Sequence, residues 1–581
     1  MIAFRTTAFR LLILGLCLSA AAPLAAVPVK VEVEGVRRDL ERNIRSVLSL
    51  EQEDEDELTP ERVRRLHARA PEEIGVALQP FGYYKPVVRG ELRQEGNRWI
   101  ARYEVEEGPA IRIASVDLRV TGAGADDSGF RQITSDFPVK RGEVLFHPDY
   151  EEGKDALTGL AAENGYLDAE FEVSEVRVDL ERYRADVVVH YDTGPRYRFG
   201  EVRFNQDVLN PDLLRGYVNF ERGEPLDVDK VLALQDALSD SPYWARVEVV
   251  TLEDEVQGLE VPIAVNLVAA KPRLFTAGVG YGTDSGARGT LGLELRRINR
   301  RGHRGEVQLV GAETEQSFQA SYLIPGPYPR TDILAFNAAY ALEDTDTAES
   351  ESMLLGAQRT QTRWGDWREA LSLNYQRDDF EVGLDQGIST LLVPGVSYER
   401  VKADDRIYTT NGYRLRVGAQ GAEESLLSDT SFLQGTLSGK YIRTLGERHR
   451  LITRAEAGYM ETDQFRRLPP RFRFFAGGDR SVRGFGYQEL GEEDEAGNII
   501  GGRALLVGSL EYELRVLEKW SAAVFYDTGN AFRAFGDPLE YGAGLGVRWR
   551  SPIGPIRADV AWALSQDGTP FRFHLNIGPD L

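Results

Sequence analysis

The sequence predicts two kinds of structure in one chain: α+β repeats, followed by a transmembrane antiparallel β-barrel of about 16 strands. Three observations carry that expectation. The segment Gly108-Pro-Ala-Ile-Arg-Ile recurs as Gly194-Pro-Arg-Tyr-Arg-Phe. Helical periodicity ends after Lys271-Pro272, and alternating apolar and polar segments take over. The N-terminus reads as an export signal.

The chain has 581 residues and a formal charge of -23, which argues against nucleic acid as a partner. Past the N-terminus no run of about 18 apolar residues occurs, so no membrane helix is expected. Barrel strands leave a much fainter trace in hydropathy. Arg5 and Arg10 precede an apolar core from Leu11 to Ala22, and small residues run to Ala26. Residues 1–26 therefore read as a signal peptide, and the core is short for the competing expectation, a membrane anchor. The single cysteine, Cys17, lies inside this segment behind Leu16, whereas a lipid-attachment cysteine follows a small residue. The mature chain would hold no thiol, so disulfides and Cys-metal sites are not expected. No metal or cofactor is expected either.

The repeats fill residues 27–107, 108–193 and 194–271. In the later two, Arg141-Gly-Glu143 and Arg222-Gly-Glu224 precede helical runs, Tyr150 to Asn164 and Val228 to Ser239. Gly165-Tyr166 and Tyr243-Trp244 follow, then paired strands such as Phe171–Leu180 and Ala185–Tyr191. The first repeat has a strand at Val29–Val36 and a helix at Leu40–Leu50. Thr59-Pro60 starts a second helix, with Thr as N-cap and Pro at the first helical position. Phe81-Gly-Tyr-Tyr84 and the strands Val87–Arg93 and Trp99–Glu106 close the repeat. The order β-α-α-β-β in units of about 80 residues resembles the polypeptide-transport-associated (POTRA) domain. The edge of such a small sheet can take up an extended segment by β-augmentation. A passive spacer is the competing expectation. The acidic run Glu51 to Glu57 reads as a solvated loop.

Residues 272–581 read as the barrel. Phe571, Phe573, Leu575 and Ile577 share one parity, and Arg572, His574 and Asn576 the other. Ile556, Ala558, Val560, Trp562 and Leu564 alternate in the same way with Arg557, Asp559, Ala561 and Ala563. An apolar outer face and a polar inner face suit a sheet closed in lipid around a wet lumen. A soluble sandwich would alternate too, with its polar face outward.

One stretch breaks the rhythm: Arg471-Phe-Arg-Phe-Phe-Ala-Gly-Gly-Asp-Arg-Ser-Val-Arg-Gly-Phe-Gly-Tyr487. It is too aromatic for a disordered segment. A phosphate loop is not supported, because no Gly-Lys-Ser/Thr and no helical pattern follow. It falls between strand 11 (about Arg448–Tyr459) and strand 12 (about Arg503–Val516), so it is expected as a loop of the outer surface. Val482-Arg483-Gly484-Phe485 resembles the signature loop of the bacterial outer-membrane assembly and secretion family that includes BamA, TamA and the two-partner transporters. Phe525-Tyr-Asp527-Thr-Gly529 resembles that family's second signature. The resemblance implies a lid loop folded back into the barrel. An arginine carried into the lumen needs a carboxylate partner, and guanidinium suits a bidentate one. Asp527 shares a parity with Phe525 and Gly529 and is the first choice. Glu511 and Glu513 of strand 12 are secondary candidates. Gly484 would let the tip turn and Phe485 would pack on the inner wall. The competing expectation is a solvated loop with Arg483 free.

Three POTRA-like units and the ending Ile577-Gly-Pro-Asp-Leu581 are most similar to the TamA branch of the family, although the terminal aromatic of BamA-like chains is absent. That resemblance implies a bacterial outer-membrane location with the POTRA region in the periplasm. It implies as partners a TamB-like periplasm-spanning inner-membrane protein, contacted through the first unit, unfolded β-barrel clients of the autotransporter type, and outer-membrane lipid. The barrel seam would join strand 1 (about Leu274–Thr283) to strand 16 (about Pro570–Gly578). Gly278, Gly280 and Gly282 weaken the first edge, and Gly578 and Pro579 would end pairing early on the last. Barrel curvature alone is the other account of these glycines. A client strand could pair with the opened edge and leave sideways into lipid, without nucleotide hydrolysis. A passive secretion channel of the two-partner type is the alternative. No enzyme is expected, since His67, His147, His190, His303, His449 and His574 form no metalloprotease pair or clear catalytic triad.

Overall fold

The structure, a computed structural model, describes residues 28–577 apart from 55–57, 97, 285, 406, 535 and 552–553. The signal expected at 1–26, and Gly578 and Pro579, lie outside the described residues. The chain forms two compact units. One runs to Gly200 and includes Arg222–Asp229 and Glu255–Val261. The other holds Glu201–Glu221, Lys230–Asp254 and everything from Pro262 on.

The first module has helices Arg38–Val47, Ser49–Gln52 and Pro60–Leu78 against a three-stranded sheet. Its central strand, Arg98–Glu106, runs parallel to Val29–Glu34 and antiparallel to Val87–Glu95. Leu40 and Ile44, one turn apart, and Val63, Leu66, Ala70 and Ile74 of the longer helix are buried against Tyr103 and Val105. This is the burial an apolar stripe at helical spacing requires. The Thr59 side chain accepts from Arg62 N at 3.3 Å and caps the longer helix. The second module repeats the sheet order with Arg112–Thr121, Arg184–Asp192 and Glu170–Asp179. Its main helix, His147–Glu163, starts three residues before the expected Tyr150. The third has Arg198–Asn205, Glu260–Ala269 and Trp244–Thr251, with helix Val228–Ser239. Two short helices, Ser128–Ser135 and Pro211–Arg215, were not legible, because neither is long enough to show a period.

Sixteen strands follow in one antiparallel sheet, each paired with the next. They are β1 Arg273–Gly282, β2 Gly286–Leu295, β3 Arg304–Ala312, β4 Glu315–Pro325, β5 Ile333–Asp344, β6 Ala348–Arg363, β7 Trp367–Val382 and β8 Asp385–Ala403. After them come β9 Asn411–Ala422, β10 Phe432–Leu445, β11 His449–Glu461, β12 Ala504–Leu517, β13 Trp520–Phe532, β14 Glu540–Ser551, β15 Gly554–Ala563 and β16 Phe571–Ile577. Side chains alternate across the wall. Phe571 and Phe573 are exposed on the outer face, while His574 and its cross-strand neighbour Asp559 are buried inside. β1 and β16 lie side by side and nearly close the cylinder. Among the described residues no ladder joins them. Leu575 N donates to Thr283 Oγ1, just past β1, at 3.3 Å.

The β2–β3 turn meets the third module: Asn210 N donates to Arg300 O at 2.8 Å and Tyr243 OH to Gly302 O at 2.6 Å. That turn marks the module end of the barrel. The β11–β12 loop therefore leaves from the opposite, outer end.

Thr59→Ala is expected to cost the first module about 1 kcal/mol. Amide exchange across Pro60–Leu78 in the full chain should quicken, while the barrel strands keep their protection.

Candidate functional site

The β11–β12 loop does not stay outside. Two 3-10 turns, Phe465–Arg467 and Pro470–Phe472, and a small hairpin of Glu492–Glu493 with Ile499–Gly501 give it internal structure. Backbone bridges Phe474–Gly502 and Ala476–Leu490 tie its two limbs together. Phe465, Leu468, Phe472 and Phe474 are buried against Phe380, Val382, Leu391, Val393 and Phe432 of the wall. Phe472 and Phe474 of the aromatic stretch thus join an apolar core within the lumen. Arg473 anchors that side. Its side chain is fully buried and donates to Asp385 Oδ2 at 2.8 Å, to Leu468 O at 2.9 Å and to Ile500 O at 3.1 Å.

The tip crosses to the opposite wall. Arg483 Nε and Nη2 donate to the two oxygens of Asp527 at 2.7 and 3.0 Å, a bidentate pair. Nη1 reaches Glu511 Oε2 at 2.7 Å and Asp559 Oδ2 at 3.2 Å. The guanidinium carbon lies 3.4 Å above the Phe525 ring centre, in cation–π contact. Arg483 N also donates to Asp527 Oδ2 at 3.1 Å, and Ser509 Oγ donates to Asp527 Oδ1 at 2.6 Å. Val482 and Phe485 are buried with Leu490 and Val507. Gly484 has φ of 102°, and a Cβ there would press on the backbone of Trp562 and Ala563. Only glycine fits that approach. Gly529 packs against the backbone of Leu506 and Val507 in the same way.

One expected partner is different. Glu513 does not hold Arg483; its carboxylate takes Arg450 Nη1 at 2.8 Å. Glu513 lies two residues further along β12 than Glu511, towards the module end, where Arg450 of β11 pairs across from it. Sequence reasoning also missed Arg548, which joins Glu511 at 2.7 Å and Asp559 at 2.5 Å. Asp559 and His574 were missed as lid contacts as well. His574 Nε2 accepts from Gly484 N at 3.1 Å. Arg454 donates to Ser481 O at 2.8 Å. Glu511, Glu513, Asp527 and Asp559 thus form ion pairs with Arg450, Arg483 and Arg548, and Arg454 lies nearby. Opposite charges in contact are what a largely buried charge cluster requires. A readable signal for the seat was the strip Gly542, Gly544, Gly546 on one face of β14. A Cβ on Gly542 would collide with the Arg483 carbonyl, and one on Gly544 with the Phe525 ring.

The seam glycines are placed apart from this cluster. Gly278, Gly280 and Gly282 keep full pairing with β2, opposite Thr290, Arg288 and Gly286. Among the described residues no metal-ligand cluster is found.

Residues 298–580 match the Omp85 superfamily domain. That stretch spans β3 to β16 of the barrel. Residues 30–107 match POTRA domain TamA domain 1. The two matches agree with an outer-membrane β-barrel that carries periplasmic POTRA domains. Outer membrane protein assembly factor BamA of Nitratidesulfovibrio vulgaris is 22% identical over 527 residues, covering 86% of this chain and 66% of that protein. BamA of Neorickettsia risticii is 21% identical over 528 residues, covering 84% and 68%. The chain thus spans about two thirds of the length of these relatives. The crystal structure of Haemophilus ducreyi BamA lacking POTRA domains 1–3 shares the fold, with a TM-score of 0.66 at 17% identity over 81% of this chain and 99% of that one.

Arg483→Ala strands buried carboxylates, a loss of about 3–5 kcal/mol, and should free the lid tip while the barrel stays folded. Gly542→Val keeps every charge but fills the tip's seat. Both variants should expose the tip, residues 478–487, to protease added outside intact cells. A lid protected in both would mean that this pocket does not hold it.

Proposed function

We propose that the protein is an outer-membrane assembly and translocation factor of the TamA type. It inserts or secretes β-barrel clients, autotransporters among them, through the β1–β16 seam. The observation that carries this reading is the seam itself. Fifteen neighbouring strand pairs form ladders, whereas β1 and β16 meet through a side-chain hydroxyl among the described residues. An edge of unpaired N–H and C=O groups is a template for an incoming strand. Release into lipid is downhill once the client's own backbone bonds are closed, so no nucleotide is needed. The TamA-type first POTRA domain supports a TamB-like partner spanning the periplasm. The exposed edge strands Val87–Glu95 and Glu170–Asp179 suit β-augmentation by a partner or client.

A passive secretion channel is the second reading. It is favoured by a polar cavity of about 600 Å³ beside the lid, lined by Asp284, Arg288, Glu315, Glu343 and Arg480. Soluble product outside the cell would mark a channel, whereas an insertase leaves its client in the membrane.

Cysteines placed in β1 and β16 should cross-link and stop client insertion, with reductant restoring it. Insertion at the normal rate in the locked protein would refute the lateral gate. Separately, the full chain should retain a large periplasm-spanning partner in a pull-down, and a chain lacking 27–107 should lose it. Equal recovery by both would remove the first module as the contact.

A further inference from the structure

The lid touches both sides of the seam as well as the far wall. Asp479, four residues before Arg483, makes both contacts. Its backbone N–H donates to Asp284 Oδ2 at 2.8 Å, in the turn after β1. Its carboxylate accepts from the Asn576 side-chain amide of β16. Gly478, at φ of 101°, brings the lid backbone within reach of the Asp284 carboxylate, where a side chain would collide. A second tie to β16 runs from Arg572 Nη2 to Glu489 Oε2, at 3.2 Å. Among the described residues the direct join between the two edges is Leu575 N to Thr283 Oγ1.

We propose that Asp479 is a clasp: through the lid it ties the β1–β2 turn to β16, so that the seam parts only when this stretch of the lid lets go of both edges. The proposal rests on the seam being the client exit. It adds the residue that keeps the exit shut between clients. The clasp is chemically weaker than the anchors elsewhere in the lid. Burial pushes the Asp284 carboxyl up to about 6; the Asp479 N–H it accepts lowers it in part, and the Asp479 carboxylate raises it. A carboxyl held up in this way is a weaker anion for the lid N–H, whereas Arg483 and Arg473 sit on opposite charges. Those anchors hold the lid on β8 and on β12, β13 and β15, so the clasp can release while the lid remains in the lumen.

The test uses the full chain carrying Thr283→Cys and Leu575→Cys, in outer-membrane vesicles. The only other cysteine of the sequence is Cys17. Asp479→Ala should slow disulfide formation between the pair at least threefold. Asp479→Asn, which keeps the N–H and one acceptor oxygen, should recover part of the rate. Asp429→Ala is the control. Its carboxylate also accepts one hydrogen bond, here from the backbone N–H of Thr390 at 2.6 Å, on the outer end away from the seam, and its rate should equal the parent's. A parent rate in Asp479→Ala overturns the clasp. If Asp479→Ala lacks the heat-modifiable mobility of a folded barrel, Asn576→Ala takes its place with the same two outcomes. Client insertion by the oxidised pair, with Asp479 intact, is read in the same vesicles. Blocked insertion beside a parent rate in Asp479→Ala sinks the clasp and leaves the gate standing. Unblocked insertion sinks the gate, and with it the clasp's role, whatever the rate.

Discussion

A guanidinium held inside the barrel is the constraint on which the rest of the lumen depends. Arg483 sits where water is largely displaced by Phe525, Val482 and Phe485. A charge in such a place is tolerated only when opposite charges and hydrogen bonds surround it. Asp527 supplies the bidentate contact, and Glu511 and Asp559 complete it. Arg548 in turn neutralises Glu511 and Asp559 from the other side. The side-chain-free strip of β14 and the left-handed Gly484 are steric consequences of the same docking. They let a loop backbone come close enough to the wall for the arginine to reach its partners.

The lid is fastened unevenly around the cylinder. On the side of β7, β8 and β10 it is apolar, with packed aromatics and the buried Arg473–Asp385 pair. Towards β1 and β16 it faces a polar cavity, and its contacts are single hydrogen bonds and one exposed ion pair, Arg572–Glu489. That unevenness coincides with the gap in the ladder. A ladder pair is broken only with its neighbours, whereas a join made by one side chain is lost alone. The region of the barrel with the fewest shared bonds is therefore also where the plug holds least firmly.

Much of this was legible in the chain. Period-2 alternation in Phe571 to Ile577 separated the lipid face from His574 and Asn576, and the lumen side is where the structure has His574 buried. The run Phe525-Tyr-Asp527 carried the parity of the main counter-charge, and Pro60 after Thr59 marked a helix start. Other parts were hidden. Glu511 and Glu513 share a face, yet one serves Arg483 and the other Arg450, because parity reports which side a residue faces and not its depth relative to a loop tip. The Arg473–Asp385 pair joins positions far apart in sequence, and no local pattern links them. Helix Pro211–Arg215 is shorter than two turns and leaves no period to detect.

The sequence by itself determined the inner and outer faces, the repeat order, the number of strands and the presence of an arginine-bearing loop, since each follows from the spacing of residues along one segment. Only the tertiary structure decided which carboxylates that arginine meets, that Arg548 shares them, and that Asp479 reaches both edges of the seam. Those pairings join strands brought together when the sheet curls and the loop folds inward. They depend on barrel circumference and on the stagger between distant strands, quantities that no single stretch of chain contains.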